Sequence, residues 1–133
     1  MTANAQLLAP RSYERGSQEY ADAELALERG RNIEFVRSNA ADAANYFRTA
    51  TTAAELAGTA LAQVMKSRQD AANARAPQLE PEIWQQAQRK FGDAIRMLER
   101  GDLKGAKRRE IEATSLYRDA ELIAIKAQYL DET

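Results

Sequence analysis

The chain has no cysteine and no histidine. The first absence removes disulfides, thiol nucleophiles and thiolate metal sites together. The second removes the commonest general base and the commonest transition-metal ligand. Charge of one sign is also missing: acids and bases nearly cancel over 133 residues, leaving a net charge of −1. A balanced surface exerts no long-range pull on nucleic acid or on an anionic membrane, so neither is expected as a partner. Long apolar runs are absent too. The longest near the start is Leu7-Leu8-Ala9, far short of a signal-peptide core or a membrane span, so this segment is not expected to insert directly into a membrane.

What is present is alanine and helical period. Apolar residues make up 44% of the chain, many of them alanine, which implies a thin, closely packed core. Glycine and proline are few and act as punctuation. Pro10 and Pro81 each precede an apolar-periodic segment, where proline suits a first helical turn. Gly30 and Gly101 each follow Leu-Glu-Arg, where a left-handed C-terminal cap is expected. Asn32 and Asp102 then stand as N-caps for the next helix. Helices are predicted near 11–29, 33–74, 82–100 and 103–130, giving an all-α fold: an elongated bundle of about four helices with a long second helix. Residues 1–9 read as a disordered or linker lead-in, and 10–133 as a single helical domain.

Periodicity supports each helix. Tyr13, Tyr20 and Leu27 recur every seven residues, as do Trp84, Phe91 and Leu98. The second helix carries a heptad seam of Val36, Ala40, Ala43, Phe47, Ala50, Ala54, Ala57, Leu61 and Val64. The last aligns Ala106, Ala113, Ala120 and Ala127. With Pro10 set against Pro81, the halves of the chain match. Tyr13 meets Trp84, Tyr20 meets Phe91, and Leu27-Glu28-Arg29-Gly30 meets Leu98-Glu99-Arg100-Gly101. After one deletion Ala43 meets Ala113 and Phe47-Arg48 meets Tyr117-Arg118. Two diverged helical hairpins are therefore expected, copy one over about 10–76 and copy two over about 77–133. Stacked supersecondary units commonly continue, and a longer native chain is expected.

The spacing of Trp84 and Phe91 echoes a tetratricopeptide repeat, but Gln88 stands where that pattern has glycine. Those repeats run about 34 residues, roughly half the length of the copies here. The segments Pro81-Glu82-Ile83-Trp84, Leu98-Glu99-Arg100-Gly101-Asp102-Leu103 and Tyr117-Arg118-Asp119-Ala120-Glu121-Leu122 instead resemble an uncharacterised family of bacterial envelope proteins. Its members include lipoproteins and the segment ahead of peptidoglycan-binding OmpA-like domains. The first copy departs from the pattern at Arg31-Asn32 and in its overlong second helix. The resemblance implies a non-enzymatic scaffold or protein-interaction domain in the periplasm or at the outer membrane, with no catalytic, cofactor or metal residues. The alternative is a cytosolic tetratricopeptide-like adaptor that binds a peptide or helical partner.

Two surfaces are singled out. Leu56, Ala60, Leu61, Val64 and Met65 form an apolar sector wider than one neighbouring helix needs. It either recruits a second copy, giving a homodimer through the second helix, or another helical partner, or it is covered by the third and fourth helices. Lys104, Lys107, Arg108 and Arg109 form the one basic cluster, at a helix start where positive charge opposes the dipole. It is either an anion or partner contact or a solvated face neutralised by Glu110 and Glu112. Tyr13, Tyr20, Trp84 and Phe91 are expected in the core.

Overall fold

A computed structural model describes residues 4–30 and 32–131. The protein is all-helical, with seven helices and no strand among the described residues. It divides into two compact units, Met1–Gly58 and Thr59–Thr133. The first holds α1 (Ala5–Leu8), α2 (Pro10–Glu28) and most of α3 (Ile33–Ala60). The second holds α4 (Ala62–Asn73), α5 (Ala76–Leu79), α6 (Pro81–Glu99) and α7 (Leu103–Asp131).

The helix ends follow from single residues. Gly30 (φ +67°) and Gly101 (φ +83°) take the left-handed conformation anticipated for them. At Gly101 the closure is a Schellman motif: Asp102 N donates to Met97 O at 2.9 Å, and Gly101 N to Leu98 O at 3.0 Å. The following helices start on side-chain caps. Asn32 Oδ1 accepts from Glu34 N at 2.8 Å, and Asp102 Oδ1 accepts from Gly105 N at 2.9 Å. A Cβ at Gly101 would meet nothing within 4 Å, so only backbone strain opposes it. Gly101→Ala should therefore cost about 1–2 kcal/mol, the left-handed penalty. Gly92 is different: it lies inside α6, where an added Cβ makes an ordinary contact 3.4 Å from Arg96 Nη1. Gly92→Ala should instead gain roughly 0.5–1 kcal/mol of helix propensity. Urea titration of both variants checks the opposite signs.

From α1 in the first unit and α5 in the second, the units pass through like elements in the same order. Among the described residues Asn4 and Arg75 are the two non-glycine residues with positive φ, at 54° and 65°, and each opens a one-turn helix. Ala9 (φ −140°, ψ 60°) and Glu80 (φ −135°, ψ 61°) close those turns, and each is followed by a 19-residue helix beginning at proline. The hydrogen bonds repeat as well: Ala9 N to Ala5 O and Glu80 N to Ala76 O are both 2.8 Å, and Tyr13 N to Ala9 O and Trp84 N to Glu80 O are both 3.0 Å.

The structure differs from the expected boundaries at three places. The lead-in over 1–9 is helical from Ala5 to Leu8, because Ala5, Leu8 and Ala9 are buried and tie the turn down; its first three residues lie outside the described residues. The second helix does not run unbroken to residue 74. It is interrupted at Leu61 (φ −108°, ψ 19°), three residues after Gly58, the weakest helix former in α3. The compact units also divide before residue 76, at Gly58/Thr59, because α4 packs on α7.

In the first unit α2 and α3 form a hairpin. Tyr13 and Phe47 meet with ring centroids 5.8 Å apart, and buried Gly16 lets the Phe47 ring press onto the α2 backbone. Ala43, Ala50 and Ala54 are buried along the seam of α3, while Ala40 is exposed. In the second unit α6 and α7 form the corresponding hairpin, with Ala87, Ala94, Ala113, Ala120 and Ala124 fully buried. Alanine at these positions lets helix axes approach to the short end of the packing range.

Candidate functional site

The second unit shows what a completed hairpin looks like. Tyr117 of α7 is fully buried, its ring 5.2 Å from Trp84 and 6.4 Å from Phe91, both edge-on. Such pairs add to plain area burial. Its hydroxyl donates to Gln88 Oε1, which also accepts from Arg68 Nε of α4 at 2.9 Å. The Arg68 guanidinium lies 5.8 Å from the Phe91 ring centroid, a cation–π contact. Val64, Ser67 and Ala71 give α4 a buried face of small side chains, and Ser67 Oγ is satisfied by Gln63 O at 3.1 Å. Gln128 of α7 donates to Ala74 O, just past the end of α4. So α4 is the third helix of this unit, running alongside α7 and across from α6.

Burial pushes the Tyr117 hydroxyl up to about 12, partly offset by Arg68. A raised phenol is neutral in the fold, so its contribution is fully present below the ordinary value of 10.0 and is lost as pH rises towards 12. The protein should lose stability between pH 10 and 12, and Tyr117→Phe should remove that part of the loss. Urea midpoints of both proteins across this range check it.

In the first unit the matching positions are Tyr13 for Trp84, Ser17 for Gln88, Tyr20 for Phe91 and Phe47 for Tyr117. These positions are more exposed than their counterparts. Tyr20 is 54% exposed where Phe91 is 3%, and Ser17 is exposed. Tyr13 and Phe47 are half-buried and, with Arg48, Thr51 and Thr52, line a mostly apolar cleft of about 470 Å³. Tyr20 was expected in the core with the other three aromatics. It is on the surface.

No family model, no curated protein and no solved structure matches the chain. Its chemistry must therefore be read from its own residues.

The apolar sector inferred on the second helix is not one surface. Leu61 and Val64 are buried, Met65 is half-buried, and only Leu56 (67%) and Ala60 are exposed. The interruption at Leu61 separates Leu56 and Ala60 from α4, whose Val64 face is used against its own unit. Of the residues of that sector, Leu56 and Ala60 are the ones left on the surface.

The basic cluster is exposed at Lys104, Lys107 and Arg108 and half-buried at Arg109. Lys107 pairs with buried Glu110 at 3.3 Å, and Arg109 with Glu112 at 3.0 Å. Lys90 reaches Glu112 from α6, also at 3.0 Å. The hydrogen bond from Lys90, then that from Arg109, hold the Glu112 carboxyl below its ordinary value. A depressed carboxylate contributes above the ordinary value of 4.5 and loses that contribution as pH falls through its lower folded value. For a triad that solvent still reaches, the effect is small and screened by salt. Half of the cluster is thus committed to local pairs.

Among the described residues no three acidic side chains gather where a metal ion could sit, and no helix is long and apolar enough to cross a membrane. Among the exposed apolar side chains are residues that sequence reasoning passed over: Leu25 and Phe35 in the first unit, and Ile125 on α7. Their signal was visible as apolar positions off the alanine lines.

Proposed function

We propose that the protein is a non-enzymatic helical scaffold that acts by protein–protein contact in the bacterial cell envelope, as a spacer or docking element. On this reading the chain is two diverged copies of one helical hairpin. The observation that carries it is the element-for-element repetition together with large apolar side chains left on the surface of both units. Contiguous exposed apolar surface marks a partner site, and exposed Leu122 and Ile125 stand one turn apart on α7. The envelope location rests on the resemblance of the Pro81–Trp84, Leu98–Leu103 and Tyr117–Leu122 segments alone. The open aromatic cleft of the first unit favours a second reading, a cytosolic adaptor that grips a helix or peptide, with the same contact chemistry in another compartment.

Site-specific photo-cross-linking in cells that express the native gene tests both parts. A photoreactive residue at Ile125 should trap one defined protein, and one at the charged Lys66 position should not. Equal, diffuse labelling from both positions would sink the interaction reading. Fractionation of the same cells should place the cross-linked band in the envelope; a band confined to the cytosol would select the adaptor.

A further inference from the structure

The last helix has two faces. Ala113, Tyr117, Ala120 and Ala124 are buried against the rest of the second unit. The opposite face of α7 carries Arg118, Leu122, Ile125 and Tyr129, all exposed. Their spacings of four, three and four residues are those of a heptad seam, the pattern by which two helices meet along their length. Asp119 and Lys126 flank the seam on one side, Glu121 and Gln128 on the other. Among the described residues Arg118, Asp119 and Lys126 are exposed and enter no ion pair.

This face is complementary to its own antiparallel copy. Two such helices related by a two-fold axis between Ile123 and Ala124 bring Leu122 of each onto Ile125 of the other. The same register lays Arg118 on the Tyr129 ring, a cation–π contact. It also sets Asp119 beside Lys126, and Glu121 beside uncharged Gln128. By symmetry each contact is made twice. Other pairings of the seam are worse. Sliding one heptad in one direction sets Asp119 against Asp119 and Glu121 against Glu121, and sliding in the other sets Lys126 against Lys126. Parallel pairing sets Arg118 against Arg118. Like charges so placed oppose association, so one register stands out.

We propose that the outer face of α7 is a self-association surface on which a second copy of this chain docks antiparallel. The inference rests on the interaction-domain reading above and names the partner. Charge complementarity of the face to itself points to a second copy rather than to a different protein or another segment. The seam is short. Residues 118–129 span about 18 Å of helix, so the interface lies below about 1,200 Å² and the dimer is weak and reversible.

Sedimentation equilibrium of the purified chain, from micromolar to millimolar concentration, tests this. A monomer–dimer equilibrium is expected. Lys126→Asp should weaken it at least tenfold, because two carboxylates then face each other on both sides of the axis. Adding Asp119→Lys should restore it, since the pair is merely exchanged. Ile125→Glu should abolish it, and Leu130→Glu should not, because Leu130 is exposed but outside the seam. All four positions are exposed, so each variant should keep its far-ultraviolet circular dichroism.

A chain that stays monomeric at millimolar concentration overturns the proposal. So does a dimer indifferent to Ile125→Glu, a dimer lost with Leu130→Glu, or a loss at Lys126→Asp that Asp119→Lys does not restore. Sedimentation uses the purified chain alone, so its failure is distinguishable from failure of the cross-linking in cells. A band at Ile125 of twice the chain's mass supports both readings. A band that contains a different protein keeps the interaction reading and overturns this one.

Discussion

Replacing Tyr117 with alanine should destabilise the protein by about 3–5 kcal/mol, the range for removing a large aromatic side chain from a packed core. The residue is fully buried and its ring joins Trp84 and Phe91 into one cluster. Its hydroxyl is half of the pair that satisfies Gln88 Oε1, with Arg68 as the other half. Truncation removes the ring contacts, leaves a cavity between α6 and α7, and leaves Gln88 with one donor. A domain of this size holds roughly 5–15 kcal/mol in total, so the loss is a large share of it. Urea titration followed by Trp84 emission measures it at the site. Tyr117→Phe separates the contributions: it keeps the ring and removes only the hydrogen bond, for a cost of about 1 kcal/mol. Phe47→Ala is the matched change in the first unit. Because that ring is half-buried, its cost should be about half as large; a loss equal to that of Tyr117→Ala would show that the floor of the cleft is already covered.

Ala120→Leu and Ala50→Leu should each cost about 1–3 kcal/mol or more, although leucine is an excellent helix former. The two alanines hold matching places in α7 and α3, and both are fully buried. A helix pair that has closed on a methyl group has no room for three further carbons. The leucine must leave its rotamer or push the backbones apart, and either response forfeits contacts along the whole seam. Ala40→Leu is the control. It lies on the same sequence seam but is exposed, so its effect should stay within about 0.5 kcal/mol. Thermal melts of the three variants distinguish a closed seam from a merely alanine-rich sequence. Equal effects at Ala40 and Ala50 would contradict the packing described.

Much of the local structure was legible in the residues. The helices that start at Pro10 and Pro81 and the turns at Gly30 and Gly101 follow from proline geometry, left-handed glycine and the caps at Asn32 and Asp102. The one-turn helices α1 and α5 were not read, yet a signal for them existed. Ala5, Leu8 and Pro10 recur at the same spacing as Ala76, Leu79 and Pro81. Four residues show no helical period, so only comparison of the two matching stretches could have exposed them.

The candidate site was legible only in part, and the reason is physical. Composition and period determined that this chain folds as helices, which residues share a face, and where most helices start and stop, because these depend on neighbours within one or two turns. Whether a given face is covered depends on a segment far along the chain. Val64 continues the α3 seam in sequence, but beyond the interruption at Leu61 it turns to the α6–α7 hairpin and takes Arg68 with it. Tyr20 and Phe91 hold the same place in the same pattern; one is on the surface and the other in the core. Only the tertiary structure decided that difference, since burial is conferred by the third helix and not by the residue that is buried.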